Sequence, residues 1–183
     1  HGRGTTITSP CTHCQGEGRS LRDEDISVEI PAGVSAGNYL TVEGKGNAGL
    51  HGAEPGDLQV VFDEAEHEHF IRQSDDVVYQ QMISFTTAAL GGRLEVPTLR
   101  GRETIKIPAG SQSGKTIRLK GEGIPHLRRY GRGDQIVVLT VWTPTKLTAE
   151  DKRLLERLES SESFRPPAQD KSFFAKLRES LGV

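Results

Sequence analysis

Cysteine is almost missing from this chain of 183 residues, which holds two, Cys11 and Cys14, against 21 glycines. Two cysteines in C-x-x-C spacing cannot staple a fold; they read as metal ligands or as a redox pair. Such sparse use favours a reducing compartment. Aromatic residues are only 5% of the chain, so any core must rest on Val, Ile and Leu. An excess of one charge is lacking as well: 23 basic and 25 acidic residues leave a net charge of −2. That balance excludes the electrostatic footprint of a protein whose main partner is nucleic acid. No apolar run approaches the roughly 20 residues that cross a bilayer. No signal peptide is visible, but the sequence starts at His1 rather than Met, and it is expected to be a piece of a longer protein.

What is abundant is glycine, and its placement repeats. Ile30-Pro31-Ala32-Gly33, followed by Gly37, recurs as Ile107-Pro108-Ala109-Gly110, followed by Gly114. The offset from Pro31 to Pro108, 77 positions, then holds without a gap. Gly44 and Gly46 map onto Gly121 and Gly123, Gly56-Asp57 onto Gly133-Asp134, and Val60-Val61 onto Val137-Val138. The period is too long for a solenoid repeat. It predicts two tandem copies of one small β-domain.

Within each copy the pattern is one of short strands. Asp25–Ile30 alternates polar and apolar residues and predicts a half-buried strand. Tyr39–Val42 and Asp57–Phe62 predict two more, with a glycine-rich loop over 43–56 between them. In the second copy, strands are expected at 104–107, 116–119 and 134–142. Ahead of it, 77–85 predicts a strand, 86–90 a helical turn broken at Gly91-Gly92, and 93–96 a strand turning near Pro97 and Gly101. The first copy has no such preceding piece in the chain. Residues 1–24, a cysteine-bearing module, stand there instead. The first copy is therefore expected to be incomplete, with its first strands upstream of the module. Glu64–Asp76 reads as a linker. Thr148 and Asp151 form a capping-box start for a helix over 149–160. Lys171–Leu181 places Phe173, Leu177 and Leu181 on one helical face.

Candidate sites are few. Cys11 and Cys14 supply one edge of a tetrahedral zinc site, and their glycine-rich flanks without a βαβ context favour metal over redox chemistry. The rival reading is a thiol–disulfide oxidoreductase acting through the same pair. His51, His67, His69 and His126 read as solvent-exposed. Leu127–Gly133 has the Arg/Gly character of an RNA-binding stretch, but its repeat-matched position makes it loop chemistry. No nucleophile elbow or phosphate loop is present, so no enzyme activity is expected. Phe70 stands out as an apolar residue in a charged linker beside an incomplete β-domain. Two roles are open to it: a plug in the joint between the copies, or part of a surface that captures extended peptides by strand addition.

Together these motifs resemble the DnaJ family of co-chaperones, in its zinc-containing type I form. Cys11-Thr12-His13-Cys14-Gln15-Gly16-Glu17-Gly18 is similar to that family's C-x-x-C-x-G-x-G unit, and His1-Gly2-Arg3-Gly4 to the tail of a preceding unit. Ile30–Gly33, Ala89–Gly92, Glu95–Thr98 and Tyr130–Asp134 resemble its two C-terminal domains, and Lys171–Phe174 its tail. The resemblance implies a mainly β fold: two tandem small β-sandwich or barrel-like domains of the same topology, with a C-terminal helical dimerisation segment. The implied boundaries are 1–24 for the end of the zinc module, 25–70 for the first domain, 71–147 for the second and 148–183 for the helical segment. It implies binding of unfolded client polypeptides through Ile26 and Phe70 and delivery to a DnaK-type chaperone, in protein folding and stress response. It implies a homodimer held through Leu154, Leu158, Phe173 and Leu177. It implies zinc in the full-length protein, with Cys11 and Cys14 a half-site expected to be empty or disordered in this chain. A cytoplasmic location follows, with no membrane and no specific nucleic acid as partners.

Overall fold

In a computed structural model of the chain, residues 8–166 are described. Tail residues Phe173 and Leu177, and His1–Gly4, lie outside them. The chain divides into two compact units, His1–Trp142 and Thr143–Val183.

The described part of the first unit is built mainly of strands. Strands β1 (Tyr39–Val42) and β2 (Leu58–Val61) form an antiparallel pair. A four-stranded sheet follows, in the order β3 (Phe70–Gln73), β4 (Asp76–Ser84), β8 (Gln135–Trp142), β7 (Thr116–Leu119). Strands β5 (Gly92–Thr98) and β6 (Gly101–Ile107) make a separate hairpin. All neighbours are antiparallel except β4 and β8, which run parallel.

The repeat is reproduced in hydrogen bonding. Tyr39 faces Val61 across β1–β2, and Thr116 faces Val138 across β7–β8, both partners displaced by the same 77 positions. The Gly44 amide donates to Asp57 Oδ1 at 2.9 Å, and the Gly121 amide to Asp134 Oδ1 at 2.9 Å. Gly46 N–H reaches the Gly56 carbonyl at 2.7 Å, and Gly123 N–H the Gly133 carbonyl at 2.9 Å. These two glycines admit no side chain: a Cβ on Gly46 would fall 2.6 Å from Asp57 O, and one on Gly123 2.5 Å from Gly133 C.

Between β4 and β5 the chain makes α1 (Phe85–Leu90). Ser84 ends the strand and caps the helix, its Oγ accepting from Thr87 N at 3.0 Å. Gly91 closes it with φ of 73°, a conformation that favours glycine. The core lies beneath this turn. Ile83, Ala88, Val96, Ile105, Ile107, Val137 and Leu139 form one buried cluster. Burying such an aliphatic side chain fully contributes about 1.5–3 kcal/mol. In β8 it is Gln135, Val137 and Leu139 that face this core, while Ile136, Val138 and Thr140 are half-buried on the other face.

Three expectations shift. Asp25–Ile30 is not a strand: a strand needs a partner for its backbone, and none of the described residues pairs with it. Phe70–Gln73, expected in a linker, is strand β3, because β4 offers it an antiparallel edge with Phe70 opposite Tyr79. A boundary at 70/71 therefore falls inside a strand, and Phe70 goes with the second copy's sheet. Pro97 lies within β5 opposite Arg102, and the turn is made by Leu99 and Arg100.

The second unit contains α2 (Ala149–Glu159), as its capping box predicted. Thr148 Oγ1 accepts from Asp151 N at 3.1 Å, and Thr148 N donates back to Asp151 Oδ2 at 3.2 Å.

Candidate functional site

Phe70 sits at the start of edge strand β3, half-buried, with its ring 5.6 Å from that of Tyr79. His67 also packs against it, with ring centroids 5.1 Å apart. The turn that brings His67 there is held by its own ring: Nδ1 accepts from the amides of His69 at 3.1 Å and Phe70 at 3.3 Å. A cavity of about 460 Å³ opens beside this aromatic pair. Val77, Leu99 and Ile124 line it with Phe70 and the outward-facing Ile71. Glu64 and Glu66 stand on its wall. The result is an apolar cleft with an acidic border, next to a strand whose outer edge no described strand covers.

Arg72, two residues along β3, ties the site to the first copy. Its Nε donates to Ser74 O at 2.7 Å, Nη1 to Val34 O at 2.7 Å and Nη2 to Gly33 O at 3.1 Å. The same guanidinium pairs with Glu64. Every nitrogen is thus occupied, and the Ile30–Gly33 turn is held against the β3–β4 turn.

The other expected residues lie elsewhere. Ile26 is half-buried in a separate, more polar cavity with Leu21 and Leu58, so it does not line the Phe70 cleft. Leu154 and Leu158 are 54% and 40% exposed on α2, so none of the described residues covers its apolar stripe. Cys11 and Cys14 are free thiols in a hydrogen-bonded turn, with Gln15 N on Cys11 O at 2.7 Å and Glu17 N on Cys14 O at 2.8 Å. The Cys14 amide, then that of His13, lowers the Cys11 thiol below its ordinary range. Zinc requires four ligands, and the pair fits two. Among the described residues, no group of three or more His, Cys, Asp or Glu side chains could hold a metal. A complete zinc site is not made by these residues.

His67 is exposed, as read, and what sequence reasoning missed is its contact with Phe70, along with Leu99 and Ile124. The signal for the last two was present: each is a large aliphatic residue inside a polar turn or loop.

Comparison with known proteins bears on what this cleft belongs to. A family model described as "DnaJ C terminal domain" matches residues 3–144. The chain belongs to the DnaJ C-terminal domain family. It is similar to the chaperone protein DnaJ of Chlorobium luteolum, 44% identical over 185 residues, covering 99% of the chain and 48% of that protein. The chaperone protein DnaJ of Salinibacter ruber is 45% identical over 93% of the chain and 45% of its own length. That of Parageobacillus thermoglucosidasius is 48% identical over 84% of the chain and 40% of its own length. The chain thus spans about half the length of these curated relatives. Among the described residues, no helix is long and apolar enough to cross a membrane.

Proposed function

We propose that this chain is the client-holding part of a DnaJ-type co-chaperone, and that the Phe70 cleft takes an apolar side chain of an unfolded polypeptide. The observation that carries this reading is the cleft itself, lined by Phe70, Ile71, Val77, Leu99 and Ile124 at an edge strand that no described strand covers. Burying one client Phe or Leu there contributes about 1.5–3 kcal/mol. Backbone pairing with β3 adds register without sequence preference. The affinity is weak and broad, as capture and release of many clients require. Nothing in this chemistry calls for catalysis, and the thiol oxidoreductase alternative finds no support in relatives named as chaperones.

In the whole protein, the client passes to a DnaK-type chaperone in the cytoplasm, and zinc takes Cys11 and Cys14 with two further ligands from elsewhere in that protein. Leu154 and Leu158, with Phe173 and Leu177 of the tail, form the homodimer contact. Ile26 serves as a second apolar contact for the client. The organisation is the end of the cysteine module at 1–24, the two β copies to 147, and the helical segment at 148–183.

The test is calorimetric titration with an apolar peptide. Phe70→Ala is expected to weaken binding about fivefold or more, the loss of an aromatic contact. Unchanged affinity would remove the cleft from the reading.

A further inference from the structure

On the other side of Arg72 lies a second cavity, of about 450 Å³, bordered by Arg128 and Arg129 where the first has Glu64 and Glu66. Three pieces of chain wall it: the turn after Ile30-Pro31 with Ser35 and Asn38, the β3–β4 turn with Ser74 and Asp75, and the loop carrying His126, Arg128 and Arg129. The walls are fixed. A Cβ on Gly33 would stand 2.2 Å from Pro125 O, so the first copy's turn and the second copy's loop meet backbone to backbone.

The polar atoms here are mostly donors in search of acceptors. Asn38 Oδ1 is already engaged by the amide of Ser35 at 3.0 Å and its hydroxyl at 3.1 Å, which leaves the Asn38 amide N–H groups for a ligand. Asp75 Oδ2 is engaged by His126 Nδ1 at 2.6 Å. Arg129 reaches Asp75 only at 3.8 Å and is 73% exposed. Arg128 has no ion-pair or hydrogen-bond partner among the described residues and is exposed. Arg72 contributes charge but, with four of its five N–H groups engaged, little free donor capacity. Asp75 is the single carboxylate lining the cavity, facing one unpartnered guanidinium, Arg128, and one held only by long contacts, Arg129, which also lies 3.5 Å from His126 Nδ1.

We propose that this cavity is a binding site for carboxylate-rich peptide segments, with Arg128 and Arg129 pairing the carboxylates and the Asn38 amide and Ser74 hydroxyl completing the cradle. Arginine forks match carboxylates in a bidentate manner. A peptide fits better than nucleic acid, which is held along a positive track that neutralises several phosphates. Here the positive charge is confined to one pocket, bordered across Arg72 by Glu64, in a chain of net charge −2. Two features point to RNA: the Arg/Gly character of Leu127–Gly133, and Tyr130, fully exposed beside the arginines as a stacking face.

Fluorescence anisotropy with a labelled peptide of consecutive glutamates, on the whole chain, tests the site. The glutamate peptide binds and its glutamine counterpart does not, and added salt weakens the complex. Arg128→Ala with Arg129→Ala lowers affinity about tenfold or more, the loss of one or two charge-assisted hydrogen bonds. Asp75→Asn tightens binding, because it removes the one repelling carboxylate; a purely structural role for this loop predicts the opposite sign. Phe70→Ala leaves glutamate-peptide binding unchanged, which separates this site from the apolar cleft. An arginine double variant that binds as well as the parent overturns the proposal. So does weaker binding by Asp75→Asn, or an oligouridylate that binds more tightly and displaces the peptide. Should the double variant fail to melt like the parent, the sign of the Asp75→Asn change decides alone.

Discussion

The two copies of the repeat share a hydrogen-bond register and differ in what lies over it. Ile107 is 1% exposed and Ile30, its counterpart, 66%. Val137 and Leu139 are fully buried, while Val60 and Phe62 are only half-buried. The second copy has α1 and the β5–β6 hairpin packed on its sheet; the described first copy has a two-stranded pair alone. A two-stranded pair is marginal in water. Identical turn chemistry therefore sets the path of the chain in both copies, whereas stability comes from the covering layer in one. The first copy depends on its neighbour, through Arg72 and the contact of Gly33 with Pro125.

The largest expected consequence is in the core. Ile107→Ala should cost about 2–5 kcal/mol in denaturant unfolding, and Ile30→Ala less than about 0.5 kcal/mol. Equal losses would mean that the first copy's residue is covered after all. At the glycine of the same motif the order reverses. Gly110 has φ of 73° with open space around a Cβ, so Gly110→Ala should cost about 1–2 kcal/mol from backbone conformation alone. Gly33, at φ of 91°, carries that penalty and the clash with Pro125 O as well. Thermal melts in which Gly33→Ala is the milder change would refute the joint.

The smallest difference concerns acid. Arg118, where the first copy has Thr41, donates to Asp134 Oδ2 at 2.9 Å. This bond, then the Gly121 amide, holds the Asp134 carboxyl below the usual range. Its contribution is complete above the ordinary aspartate value of about 4 and is lost as pH falls through the lowered folded value. Arg118→Thr should thus be less stable than the parent at neutral pH, with the gap closing in strong acid. A gap that stays constant across acid titrations would exclude the Asp134 pairing as its source.

Much of this was readable in the residues. The constant offset placed matching strands and turns in both copies, and Thr148 with Asp151 marked the start of α2. The misreadings concern partners. Asp25–Ile30 alternates as a strand does, but alternation describes a face, and only a neighbouring strand supplies the hydrogen bonds. Phe70–Gln73 carries no pattern of its own and becomes a strand because β4 is there to receive it. His67 is invisible in sequence for a similar reason: its place against Phe70 comes from a turn that its own ring stabilises. The Phe70 cleft draws on Leu99 and Ile124, which the fold brings from distant turns.

The parallel pairing of β4 with β8 carries a kinetic consequence. Val77 must find Gln135 across the whole intervening chain, whereas Val42 and Leu58 of the first copy are separated by one loop. Long-range pairing is slow, because loop closure is paid before any contact rewards it. As the chain leaves the ribosome, the β1–β2 pair can close early. The β3–β4 hairpin, with Phe70 on it, keeps one side of β4 open until β8 has been made. For that interval the protein itself presents an unsatisfied strand edge of the kind it is proposed to recognise in others.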